Sequence, residues 1–129
     1  MTTAIDDLLD AGRLDEASRL ISEQLSETPN EPNILVAQAR ALGAQGDLAG
    51  ALASAEKALE ADKGHGKALG YRGVLLYELE RQAEALPALR SAVDAGVVDG
   101  AVHFALARCL AAAGELVPAL EHTDLALVD

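Results

Sequence analysis

The chain has 129 residues, with 10 Lys and Arg against 21 Asp and Glu, and carries a formal charge of −11. That length suits one domain over 1–129, and an apolar content of 50% excludes a disordered chain. The acidic balance excludes nucleic acid and anionic membranes as partners, because both demand a basic face.

Aromatics make up 2% of the chain, namely Tyr71, Tyr77 and Phe104, so the core must be aliphatic. The single cysteine, Cys109, excludes an internal disulfide and suits a reducing compartment. No apolar run approaches the roughly 20 residues of a membrane span. The first residues are acidic and carry no leader-like pattern. A cytoplasmic setting is therefore expected. The Ala-, Leu- and Gly-rich composition points to a bacterial source.

Apolar spacing predicts helices in chain order over 4–11 and 15–27, then 33–44 and 48–61. Further on it predicts 67–79 and 83–95, then 101–113 and 117–128. Gly46 falls at the turn inside the second pair and suits the left-handed backbone such a turn needs. Asp47 and Glu115 place negative charge at the start of a helix, which the macrodipole favours. Pro118 falls in a first turn and is tolerated there. Pro87 falls about one turn into its helix and predicts a kink or a late start. No run alternates as a strand would.

Sliding the chain by 34 residues aligns these pairs without insertion or deletion. Ala17, Ala51, Ala85 and Ala119 share one column. Leu8, Leu42, Leu76 and Leu110 share a second, and Leu25, Leu59, Val93 and Leu127 a third. Gly12, Gly46 and Gly114 share a fourth, with Glu80 in place of the remaining glycine. The small column, with Gly73 and Ala39, predicts closely approaching helices; the leucines would fill the gaps between hairpins.

The stretch from Leu35 to Asp62, L-x-x-x-x-x-x-L-x-x-x-G-D-L-x-x-A-L-x-x-x-x-x-A-L-E-x-D, resembles a tetratricopeptide repeat. Four such units, over about 2–31, 32–65, 66–99 and 100–129, cover the chain, the first one short. Two features depart from the family pattern. Leu35, Leu69 and His103 replace its early aromatic, and its closing proline survives only as Pro29. The resemblance implies an all-α, right-handed solenoid of four helix-turn-helix hairpins. It also implies a protein–protein interaction module and not an enzyme.

The residues agree with that absence of catalysis. His65 lies in the Gly64-His65-Gly66 turn and reads as solvated; His103 reads as packed. Cys109, six residues after His103 on one helix, points to a different face and reads as a buried, inert thiol. The Gly64–Lys67 stretch lacks the frame of a phosphate-binding loop. No metal or cofactor site is expected.

In the resemblance, the first helix of each unit lines a concave groove. Leu35, Ala39 and Leu42, then Leu69, Gly73 and Leu76, pack on the second helices, so the groove takes the opposite face. That face carries Val36, Ala37, Arg40 and Gly43, then Lys67, Gly70, Tyr71, Val74 and Tyr77, then Phe104 and Arg108. Asp6, Leu9, Asp10 and Glu78 complete it. Val36, Tyr71, Val74, Tyr77 and Phe104 would anchor an apolar peptide segment or partner helix. Arg40, Lys67 and Arg108 would meet its acidic groups. The alternative is a solvated face whose aromatics cover neighbouring helix surface. Some family members clamp a chaperone's terminal carboxylate with Lys and Asn. Only Lys67 matches that pattern here, so this function is not expected.

Leu120, Leu125, Leu127 and Val128 would leave an apolar C-terminal end, and such patches mark interfaces. They predict a homodimer joined end to end, or a chain that continues beyond Asp129. Two further functions follow as alternatives: a self-assembling scaffold, or a regulatory segment of a larger multidomain protein or enzyme.

Overall fold

The computed structural model describes residues 4–114. Among them are seven α-helices and no strand. These are α1 (Ala4–Asp10), α2 (Leu14–Glu27), α3 (Pro32–Ala44), α4 (Leu48–Ala61), α5 (Gly66–Glu78), α6 (Gln82–Asp94) and α7 (Gly100–Ala112). Each boundary falls within one residue of its prediction from spacing. The helix predicted over 117–128 lies outside the described residues. The chain divides into two compact units, Met1–His65 and Gly66–Asp129. Their border is the expected border between the second and third repeats.

The helix ends explain why these positions recur. Gly12 and Gly46 have φ of 75° and 87°, and each closes the first helix of its hairpin. The next residue's N–H, of Arg13 or Asp47, donates to the Leu8 or Leu42 carbonyl at 2.9 Å. This is a Schellman closure, in which a left-handed residue lets the chain fold back on the last turn. Glu80 takes the same part with φ of 62°, and Arg81 N–H donates to Leu76 O at 2.9 Å. The leucine column is thus also the column of carbonyls that end the first helices. Gly96, at φ of 90°, closes α6 in the same way, a device the register did not reveal.

The second helices start by two solutions at one register position. In α4, Asp47 accepts from Gly50 N–H at 2.9 Å and caps the helix. In α2 and α6 the position holds Arg13 and Arg81, which make no cap bond and instead reach forward to Glu16 and Glu84. The Arg81 guanidinium donates to both Glu84 oxygens, at 3.0 and 2.6 Å, and holds that carboxyl below its usual range.

The small columns pack as their size requires. Ala17, Ala51 and Ala85 are fully buried, and Ala39 is nearly so. In the first unit Ile5, Leu9, Ala17, Ile21, Ala37 and Ala41 form one core across α1, α2 and α3. In the second, Gly73 of α5 meets Leu89 of α6, and Leu76, Leu106 and Leu110 are buried. Leu8 and Leu42 are only half-buried, so the first unit uses its leucine column less fully.

Pro87 neither delays nor ends its helix. α6 starts at Gln82 and runs through it, because one missing N–H in the second turn leaves the rest of the ladder intact. His65 is not simply solvated: its Nε2 lies 2.8 Å from Asn33 Oδ1, tying the end of the first unit to the start of α3.

Candidate functional site

The inner face was expected opposite the stripe that packs on the second helices. In the first unit α3 packs against α1, α2 and α4, and several positions assigned to the groove are buried. Val36 and Ala37 are each 6% exposed and Leu9 is 7% exposed. Val36 is therefore a packing residue in this structure and not an exposed anchor. Gly43 is half-buried, and a Cβ built there would stand 4.0 Å from Ala51 Cβ of α4. Arg40 reaches Asp10 of α1 at 2.5 Å. The two side chains are 36% and 60% exposed, so the pair contributes about 0–1 kcal/mol. It does, however, neutralise the cation expected to meet a partner.

The second unit keeps an accessible face. On α5, Lys67 and Glu78 are exposed, while Tyr71, Val74 and Tyr77 are half-buried. Gly70 is buried: a Cβ there would stand 3.3 Å from Val102 on α7. That close approach lays α7 alongside α5. On α7, Ala101, Phe104, Arg108 and Ala111 are exposed, whereas Val102, His103, Leu106 and Cys109 are buried. Phe104 and Val98 are the exposed large apolar side chains among the described residues. The Arg108 guanidinium sits 5.9 Å from the centroid of the Phe104 ring, one helical turn away, as a cation–π pair.

The remaining predicted interface residues, Leu120, Leu125, Leu127 and Val128, lie outside the described residues. His103 is 5% exposed. Cys109 is a free, buried thiol, and burial pushes its pKa up. Among the described residues no group of three or more His, Cys, Asp or Glu could hold a metal ion, and no helix is long and apolar enough to cross a membrane. Sequence reasoning missed Arg72 on α5, whose Nε is buried without a hydrogen-bond partner. The apolar residues that frame it, Ala68, Leu69, Leu75 and Leu76, gave the only sequence signal.

Helix hairpins closed by left-handed residues, packed through an alanine column at a fixed 34-residue offset, define a tetratricopeptide-repeat array. The family model described as "Tetratricopeptide repeat" matches residues 36–96. Among solved structures, one titled "Crystal structure of MamA" is 20% identical, with a TM-score of 0.80 over 99% of this chain and 75% of its own. MamA from Desulfovibrio magneticus RS-1 is 25% identical, with a TM-score of 0.80 over 95% of this chain and 70% of its own. A further structure titled "Crystal structure of MamA protein" is 21% identical at a TM-score of 0.78, covering 96% and 68%. Among curated proteins none matches the chain. These likenesses show the all-α repeat fold, and the repeat match supports a protein-interaction scaffold in general terms.

Proposed function

We propose that the chain is a protein-interaction module that holds a peptide segment or partner helix on the inner face of its second unit, without turnover or cofactor. The occupant is an apolar segment with acidic groups. Phe104 carries this reading: it is 49% exposed in a chain with three aromatics, and a cation stands over it. Aromatic and Arg side chains together are the types that dominate binding energy at interfaces. Tyr71, Val74 and Tyr77 extend the apolar surface along α5, and Lys67 adds a second cation. Arg40 takes no part while Asp10 holds it. A free, buried Cys109 suits a cytoplasmic setting.

The test is the double variant Tyr77→Ala with Arg108→Ala, titrated against a partner recovered by pull-down. Loss of affinity by about tenfold or more, with an unchanged helical spectrum, is expected. Unchanged affinity with an unchanged fold removes the assignment.

A further inference from the structure

We infer that Asp99 is a modification site: it rearranges without an enzyme to isoaspartate through the backbone N of Gly100, and the bond that caps α7 gates the reaction. Asp99 is the one Asp followed by Gly in the chain, and no Asn precedes Gly. The rearrangement needs no other reactant than water. The Gly100 N attacks Asp99 Cγ, so a C–N bond forms and a Cγ–O bond breaks. One water leaves, made from the carboxyl oxygen and its proton with the proton of the amide. The five-membered imide then takes up one water. Opening at the Cγ carbonyl restores aspartate. Opening at the backbone carbonyl leaves the chain running through Cβ and Cγ, which is isoaspartate of the same mass.

The structure supplies what this chemistry requires. Glycine hinders the attack least, because no Cβ stands beside its nitrogen. Gly100 is the first residue of α7, so its N–H is one of those the helix ladder leaves over. Asp99 is exposed and Val98 before it is 78% exposed, so water reaches the imide.

The same residues hold the gate. Asp99 Oδ1 accepts from Ala101 N–H at 2.8 Å, and its backbone O accepts from His103 N–H at 3.1 Å. Together they keep Asp99 extended, with φ of −128° and ψ of 130°. To close the ring, the carboxyl must leave Ala101 and the backbone must turn until the Gly100 N faces Cγ. Asp99 therefore reacts only while the first turn of α7 is open, and helix ends are where such openings are frequent. Isoaspartate adds a carbon to the backbone and takes the carboxylate out of capping register. The modified chain loses the start of the helix that carries Phe104 and Arg108.

Ageing the full chain at neutral pH and mapping its peptides tests this, because the isoaspartyl peptide separates from its aspartyl twin at equal mass. Isoaspartate should appear at Asp99 ahead of every other aspartate. Ala101→Pro removes the capping N–H at a position where proline is tolerated. Losing a cap changes the open population about fivefold, so isoaspartate should form about fivefold faster. Chain unfolded in urea should react faster still, a comparison that needs no variant. Asp99→Ser keeps a capping oxygen but has no carboxyl, so its thermal midpoint should hold on ageing while that of the unsubstituted chain falls.

Isoaspartate arising first at another aspartate, or none at Asp99 while the unfolded chain converts, removes the site. Equal rates in the native and unfolded chains, or in the native chain and an Ala101→Pro variant of unchanged helical spectrum, overturn the gate.

Discussion

Gly73 on α5 lies so close to Leu89 on α6 that a built Cβ would stand 2.7 Å from Leu89 Cδ2, 2.9 Å from Cγ and 3.2 Å from the backbone N. The two helices of this hairpin touch through a glycine and the neighbouring alanine column. Gly73→Ala should gain about 1 kcal/mol of helix propensity and lose about 1–3 kcal/mol to overpacking, a net change from none to a loss of about 2 kcal/mol. Gly43→Ala is the control, since its Cβ would meet only Ala51 Cβ at 4.0 Å, so stability should rise by up to about 1 kcal/mol. Ala85→Leu at the fully buried column position should cost about 1–3 kcal/mol. Urea midpoints of the three variants check the signs.

Glu80 performs a glycine's task at φ of 62°. A side chain in that region costs about 1–2 kcal/mol, and glycine removes that strain while adding freedom to the unfolded chain. Glu80→Gly should raise the thermal midpoint by an amount worth about 0.5–1 kcal/mol. Glu80→Val, branched at Cβ, should lower it. A fall on Glu80→Gly would mean that the Glu80 side chain contributes more than its backbone strain costs.

Arg72 buries an Nε that no acceptor meets. A buried donor without a partner costs about 1–3 kcal/mol. The 34-residue counterpart in α7 is Leu106, 1% exposed. Arg72→Leu should therefore stabilise the chain by about 1 kcal/mol in urea denaturation. A loss would show that the aliphatic stem and the outer guanidinium nitrogens contribute more than the orphaned donor costs.

Cys109 is an acid whose ionisation burial opposes. The folded state favours the neutral thiol, so its contribution is complete below the unfolded thiol's value. It falls as pH rises from about 8.5 toward the raised folded value. Cys109→Ala should flatten the stability profile across that window. Native protein should react slowly with a thiol reagent, and unfolding in urea should release the reactivity.

The Arg40–Asp10 pair makes a functional prediction. Arg40→Ala should leave binding at the second unit's inner face within about twofold, because Asp10 already neutralises this cation and the pair itself is weak. A loss as large as that of Arg108→Ala, measured by titration with the same partner, would return Arg40 to the recognition surface.

The sequence by itself determined the seven described helices, their ends and their pairing. Helix signals are local: apolar periodicity, a left-handed residue after the last turn and a small residue at the contact recur in every unit, and repetition makes them legible. Leu42, Gly46, Ala51 and Leu59 state that pattern in one unit, and the others copy it. Only the tertiary structure decided which inner-face residues remain available. Val36, Gly70 and Phe104 share one register position, yet Val36 and Gly70 are buried and Phe104 is exposed. Arg40 and Asp10 are 30 residues apart and become an ion pair only when α1 and α3 pack. Phe104 and Arg108 share the helical phase of buried Gly70 and half-buried Val74 yet are exposed, because burial is a property of neighbours and periodicity supplies only direction.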